Sequence, residues 1–144
     1  MKAINSALLE AQKNIGAATK GAENPFFKSN YADLATVMEV VKEPLNNAGL
    51  AVTQAVQFTY EGENFIDILT TTLHHVSGEK ITSSARIPPT KDIQKFGAAI
   101  SYMKRYALQA LLFVPTEDLD GEENMNRGKK KIIKKVMPLE EVPF

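Results

Sequence analysis

The sequence predicts a small α+β domain: two N-terminal helices, a three-stranded antiparallel sheet, and a long helix packed on that sheet. Three observations predict it. Apolar residues recur at helical spacing up to Leu45 and at alternate positions through most of Leu50–Ile87, and helical spacing returns in the stretch Asp92–Leu112. The order helix, helix, three strands, helix suits a compact α+β arrangement.

The first helix is expected over residues 2 to about 20, where Ile4, Leu8, Ala11, Ile15 and Ala18 form a thin apolar stripe ahead of Gly21. A stripe so rich in alanine suits a helix lying on the body or against a neighbouring subunit. The connection NPFFKSN (24–30) offers Ser29 or Asn30 as an N-cap for a second helix starting at Tyr31. Leu34, Val37, Met38, Val41 and Leu45 are its expected buried stripe; Pro44 should kink or restart it, and Gly49 is placed to end it.

From Leu50 the period is two. Leu50, Val52, Val56, Phe58 and Tyr60 share one strand face, and Thr53, Gln57 and Thr59 the other. Glu61–Asn64, containing Gly62, reads as a hairpin connection to a second strand, Phe65–His75. Ser77-Gly78 makes the next turn, and a third strand, Lys80–Ile87, stops at Pro88-Pro89. On the final helix Ile93, Phe96, Ile100, Met103, Ala107 and Leu111 fall on one side, and the first four are expected to anchor it to the sheet. Lys91, Gln94, Lys95, Ser101, Tyr102, Arg105 and Gln109 gather on the other, with Tyr106 at the border and assigned to the core.

The 144 residues suffice for one domain with a substantial core. Seventeen basic and seventeen acidic side chains cancel, which speaks against coating duplex DNA by bulk charge and leaves room for a local basic groove. There is no cysteine, so disulfides and thiolate metal sites are excluded. With no membrane-length apolar run and no signal-peptide pattern, a cytoplasmic protein is expected. Residues 1–114 are expected to form the domain and 115–144 a flexible charged tail, since that stretch has too few apolar groups to offset its ordering entropy.

Catalytic motifs are weak. His74 and His75 are adjacent on a strand and point to opposite faces. Glu117, Asp118 and Asp120 are candidate Mg²⁺ ligands, yet no recognisable nuclease spacing accompanies them. No G-x-x-x-x-G-K-[ST] loop is present, so nucleotide hydrolysis is not expected, and Mg²⁺ is the one cofactor left open. A binding surface is better supported. Lys28, Arg86, Lys91, Lys95 and Arg105 are candidates for phosphate contacts on a strand of nucleic acid, with Tyr31 and Tyr102 as stacking platforms and Gln94 and Ser101 as polar neighbours.

Residues 24–54, reading NPFFKSNYADLATVMEVVKEPLNNAGLAVTQ, then three strands and GAAISYMKRYALQALL (97–112), resemble the ERF (essential recombination function) family of phage single-strand annealing proteins. Lys28, Tyr31, Asp33 and Leu34 match one family signature. Gln94, Gly97, Ile100, Tyr102, Arg105, Tyr106, Leu108, Asp118, Asp120 and Gly121 match another. Ser101, Met103-Lys104 and Leu119 depart from the usual Thr, Ala-Arg and acidic-loop residues. Over roughly residues 5–121 the resemblance implies a β-β-β-α annealing-recombinase core, assembly into homo-oligomeric rings or filaments, and pairing of complementary strands without ATP. Competing expectations are a strand-coating recombination mediator and a metal-dependent nuclease.

The chain ends LEEVPF. Glu140, Glu141, Val142, Pro143 and Phe144 are similar to the acidic tip of bacterial single-strand DNA-binding proteins. That similarity implies recruitment of host DNA-processing proteins, or folding of the tip over the protein's own basic groove.

Overall fold

The computed structural model describes residues 2–18 and 33–115. In chain order they form α1 (Ala3–Asn14), α2 (Leu34–Asn47), β1 (Leu50–Glu61), β2 (Asn64–His75), β3 (Lys80–Arg86) and α3 (Ile93–Leu112). The class is α+β, with one antiparallel sheet in the order β1-β2-β3 and the C-terminal helix packed on it.

Helix α1 is shorter than its apolar stripe suggests. It ends at Asn14, and Ile15 is already extended (φ −76°, ψ 117°). Asn14 helps to end it, since its side chain donates to the Glu10 carbonyl (3.0 Å). Ile4, Ala7 and Ala11 enter the core, so this helix lies on its own domain. Ser29 and Asn30 fall outside the described residues, and the cap of α2 is Asp33. Its Oδ1 accepts from the Thr36 backbone N–H at 2.8 Å and from the Thr36 hydroxyl at 2.7 Å. Pro44 does not divide α2, which runs to Asn47 as one element. Gly49 then turns the chain into β1 with φ +79°, a conformation that side chains with a Cβ resist.

The β1–β2 hairpin pairs Glu61 with Asn64 and leaves a two-residue loop. Gly62 supplies the positive φ (65°) at its first position, the pattern of a type II′ turn. On the face turned toward the helices, Leu50, Leu69, Thr71 and Leu73 are buried. Buried Thr71 is satisfied by Gln54, whose Nε2 donates to its hydroxyl and to the Lys104 carbonyl, both at 3.1 Å. One amide therefore ties β1 to β2 and both to α3. The opposite face carries a cross-strand network of hydroxyls: Thr70 meets Gln57 and Ser84, and Thr72 meets Thr82.

Helix α3 corrects the sequence reading most. Ile93, expected to anchor it, is 79 % exposed, whereas Leu108, Leu112 and Arg105 are buried. The helix serves two neighbours in turn. Its N-terminal half presents Phe96, Ile100 and Met103, all half-buried, while its C-terminal half rolls Leu108 and Leu112 into the cluster formed with α1 and α2. The two stripes lie roughly 140° apart at 100° per residue, so one averaged wheel could not show both.

The Asp33 cap gives a test. Its Thr36 hydrogen bonds hold the carboxyl below the ordinary range. A depressed folded pKa adds stability above the unfolded value of about 3.9, and that stability is lost as pH falls through the lower folded value. Asp33→Ala should cost about 1 kcal/mol at pH 7. The gap to wild type should narrow below about pH 4. Urea unfolding at pH 7 and pH 3 would measure both.

Candidate nucleic-acid interface

Helix α3 starts under a side-chain cap. Asp92 Oδ1 accepts from the backbone N–H groups of Gln94 (2.9 Å) and Lys95 (3.3 Å). That carboxylate occupies the terminus where a phosphate would otherwise find donors, so an anion must be met by side chains along the helix.

Lys95, Tyr102 and Tyr106 provide such a line. At spacings of seven and four residues they fall within about 40° of one another on the helix surface. All three are exposed, Tyr102 at 57 % and Tyr106 at 50 %. The sequence pattern assigns Tyr106 to the core; the C-terminal roll of α3 turns it outward instead. The Tyr102 and Tyr106 rings stack with centroids 6.3 Å apart and planes 21° from parallel.

Arg105, expected to face solvent, is only 8 % exposed. Its guanidinium carbon lies 5.2 Å from the Tyr102 centroid and 5.0 Å from that of Tyr106. A cation at this range is attracted to ring faces, more strongly where water is excluded. The Asp33 carboxyl is lowered first by its two Thr36 hydrogen bonds, is raised in part by burial, and is lowered by the Arg105 charge as the smallest of these effects. Arg105 packs behind the two rings of α3 that stand at the surface.

The remaining sequence candidates separate. Lys91, Gln94 and Ser101 are exposed on or beside α3. Arg86 lies on the sheet face turned away from the helices and pairs with Glu61 at 3.4 Å, so it does not converge with Lys95 and Tyr102. Lys28, Tyr31, the carboxylates Glu117, Asp118 and Asp120, and the tip Glu140–Phe144 lie outside the described residues. Among the described residues no three metal-ligating side chains cluster, and no helix is long and apolar enough to cross a membrane.

Sequence reasoning missed the end of the β1–β2 hairpin, where Phe58, Tyr60 and Phe65 are exposed and meet edge to face at 6.2–6.4 Å. A length comparison would have found it. Twelve-residue strands span about 40 Å and even the twenty residues of α3 only about 30 Å, so the hairpin must overhang its cover.

A three-stranded sheet closed by a long helix whose outer line carries a lysine and two stacked tyrosines defines a β-β-β-α scaffold with an exposed cationic and aromatic line on the helix. The profile of the ERF superfamily matches residues 4–138, nearly the whole chain, and the protein belongs to that family of phage recombination and single-strand annealing proteins. No curated protein and no solved structure matches the chain.

Removing Arg105 tests its positioning role. Arg105→Ala should raise the Asp33 pKa, read by carboxyl NMR, and weaken the near-ultraviolet dichroism of the tyrosine pair. Arg105→Lys should restore the Asp33 shift more fully than the tyrosine signal, because an ammonium lacks the planar stacking surface.

Proposed function

We propose that this protein binds single-stranded DNA and anneals complementary strands without ATP, working as a homo-oligomer in phage recombination. The observation that carries the reading is the exposed line Lys95–Tyr102–Tyr106 with Arg105 buried behind it. A single strand offers phosphates and base faces together, and this line matches both with a cation and two rings. Lys91 extends the cationic end, and Gln94 and Ser101 flank it with hydrogen-bonding groups. Lys28 and Tyr31, close in sequence to the Asp33 cap, are proposed to join the surface through the start of α2.

Arg105 takes a different role from the one its residue type suggested. A guanidinium packed behind two rings orients them, leaving phosphate contact to the lysines. Annealing then needs no covalent chemistry. Phosphate contacts give affinity, stacking on tyrosine holds bases in order, and the partner strand supplies the sequence information. Base pairing drives the product off the rings, since a stacked duplex has no free base faces to offer them. The domain is proposed to end near Val114, with the tail carrying Glu140–Phe144 as a tip for host DNA-processing proteins.

Three variants test the reading. Lys95→Ala should weaken oligo-dT binding and lower the magnitude of the salt slope by about 0.7 for each phosphate it no longer neutralises. Tyr102→Ala and Tyr106→Ala should each cost about 1–3 kcal/mol of binding, with a smaller fall in stability of about 0.5–2 kcal/mol from the lost contact with Arg105. Fluorescence anisotropy measures the affinities, and a two-oligonucleotide annealing assay without ATP measures the activity. Normal annealing by all three variants would sink this assignment. Strand coating with no acceleration of annealing by the wild type would favour the mediator.

A further inference from the structure

The β1–β2 hairpin ends in an aromatic cluster that the proposed DNA surface leaves unused. Phe58, Tyr60 and Phe65 are 64–69 % exposed and point to the helix side of the sheet, beyond the helices' reach. From Leu50 to His75 the hairpin contains no lysine or arginine, and its three carboxylates, Glu61, Glu63 and Asp67, all stand in the distal half. Arg86 of β3 reaches this end and is already paired with Glu61. An apolar, acidic tip repels a phosphate backbone and suits a protein surface that is apolar and basic.

The same chain carries such a surface. A cleft of about 380 Å³ opens between α2, β1 and α3, with Val41, Leu45, Val52 and Leu108 among its lining and Lys42 and Lys104 beside them. Neither lysine is in an ion pair among the described residues. The cleft has room for one aromatic side chain and offers cations to flanking carboxylates. A tip cannot fill the cleft of its own chain. Phe58 lies four residues beyond Gln54 on one continuous strand, about 13 Å farther out. β1 is also an edge strand with no charge, proline or glycine from Leu50 to Tyr60, lacking the devices that normally keep free edges from pairing.

We propose that the hairpin tip of one copy docks in the α2–β1–α3 cleft of a second copy, with Phe58 or Phe65 entering among the aliphatic side chains and Glu63 meeting Lys42 or Lys104. The inference rests on the oligomeric part of the proposed function and names the surfaces that build the assembly. Tip and cleft are different patches, so head-to-tail repetition gives closed rings or open filaments, according to whether the rotation closes.

The test uses the full chain without DNA. Sedimentation should show assembly of the wild type and at least ten-fold weaker self-association for Phe58→Glu/Phe65→Glu. Lys42→Glu/Lys104→Glu should weaken it similarly, and Glu63→Lys added to that pair should recover part of the deficit. Because the chain has no cysteine, Asn64→Cys at the tip and Asn46→Cys beside the cleft can be mixed and treated with a short bis-maleimide. A covalent two-chain product supports the docking even if the glutamate variants fold poorly.

A monomeric wild type, unaltered assembly of both glutamate variants, or an intrachain cross-link in the Asn46→Cys/Asn64→Cys protein would overturn the inference. So would tip variants that lose DNA affinity at unchanged mass, because the cluster would then belong to the nucleic acid. Failure here, with annealing still impaired in the Lys95 and Tyr102 variants, would leave the DNA-binding reading standing.

Discussion

Everything distinctive in this domain follows from one helix having to close two surfaces at once. The sheet exposes an apolar face to α3 through Leu69 and its neighbours, and α1 and α2 bring a second apolar surface to the C-terminal half of the same helix. A straight helix cannot aim one stripe at both. It divides the work, with Ile100 and Met103 serving one end and Leu108 and Leu112 the other. The change of stripe brings position 105 inward, and a residue chosen for charge becomes a buried one.

That burial is tolerable because arginine is weakly hydrated and flat, and because the rings of Tyr102 and Tyr106 present electron-rich faces to it. An ammonium would lose more hydration and gain less from the rings. The polar tie next to it obeys the same rule. Gln54 is admitted to the interior where Thr71 and the Lys104 carbonyl both accept from it, which locks the sheet to the helix one residue before Arg105. Two polar groups thus set the register between sheet and helix more sharply than aliphatic packing alone, which tolerates small slides.

The period changes at Leu50 and near Ile93 made the element order legible, and Gly49, Gly62 and Gly78 marked the turns because each must take positive φ. Less legible were the helix ends. Asp33 lay among several residues able to cap, and only the backbone geometry chose it. The roles along α3 were legible in kind, a cationic aromatic face, and misassigned in detail: Arg105 and Tyr106 traded places. Periodicity reports one average direction, so it is blind to a helix that changes neighbours midway. Arg86 stands apart from the α3 line for a related reason. Sequence placed it near the start of α3, while strand parity puts it on the far face of the sheet.

The neutral net charge, which speaks against coating duplex DNA by bulk charge, fits this division of surfaces. A protein that coats DNA by charge alone gains affinity at the cost of slow release, since every phosphate contact must be broken before strands can separate from it. On the proposed function, a short cationic line with two stacked tyrosines would hold a single strand through its base faces, which pairing removes. Affinity would then fall when the duplex forms, without any energy source. The carboxylates Glu61, Glu63 and Asp67 make the β1–β2 hairpin a poor phosphate surface, which fits the proposal that this arm meets protein while α3 meets the strand.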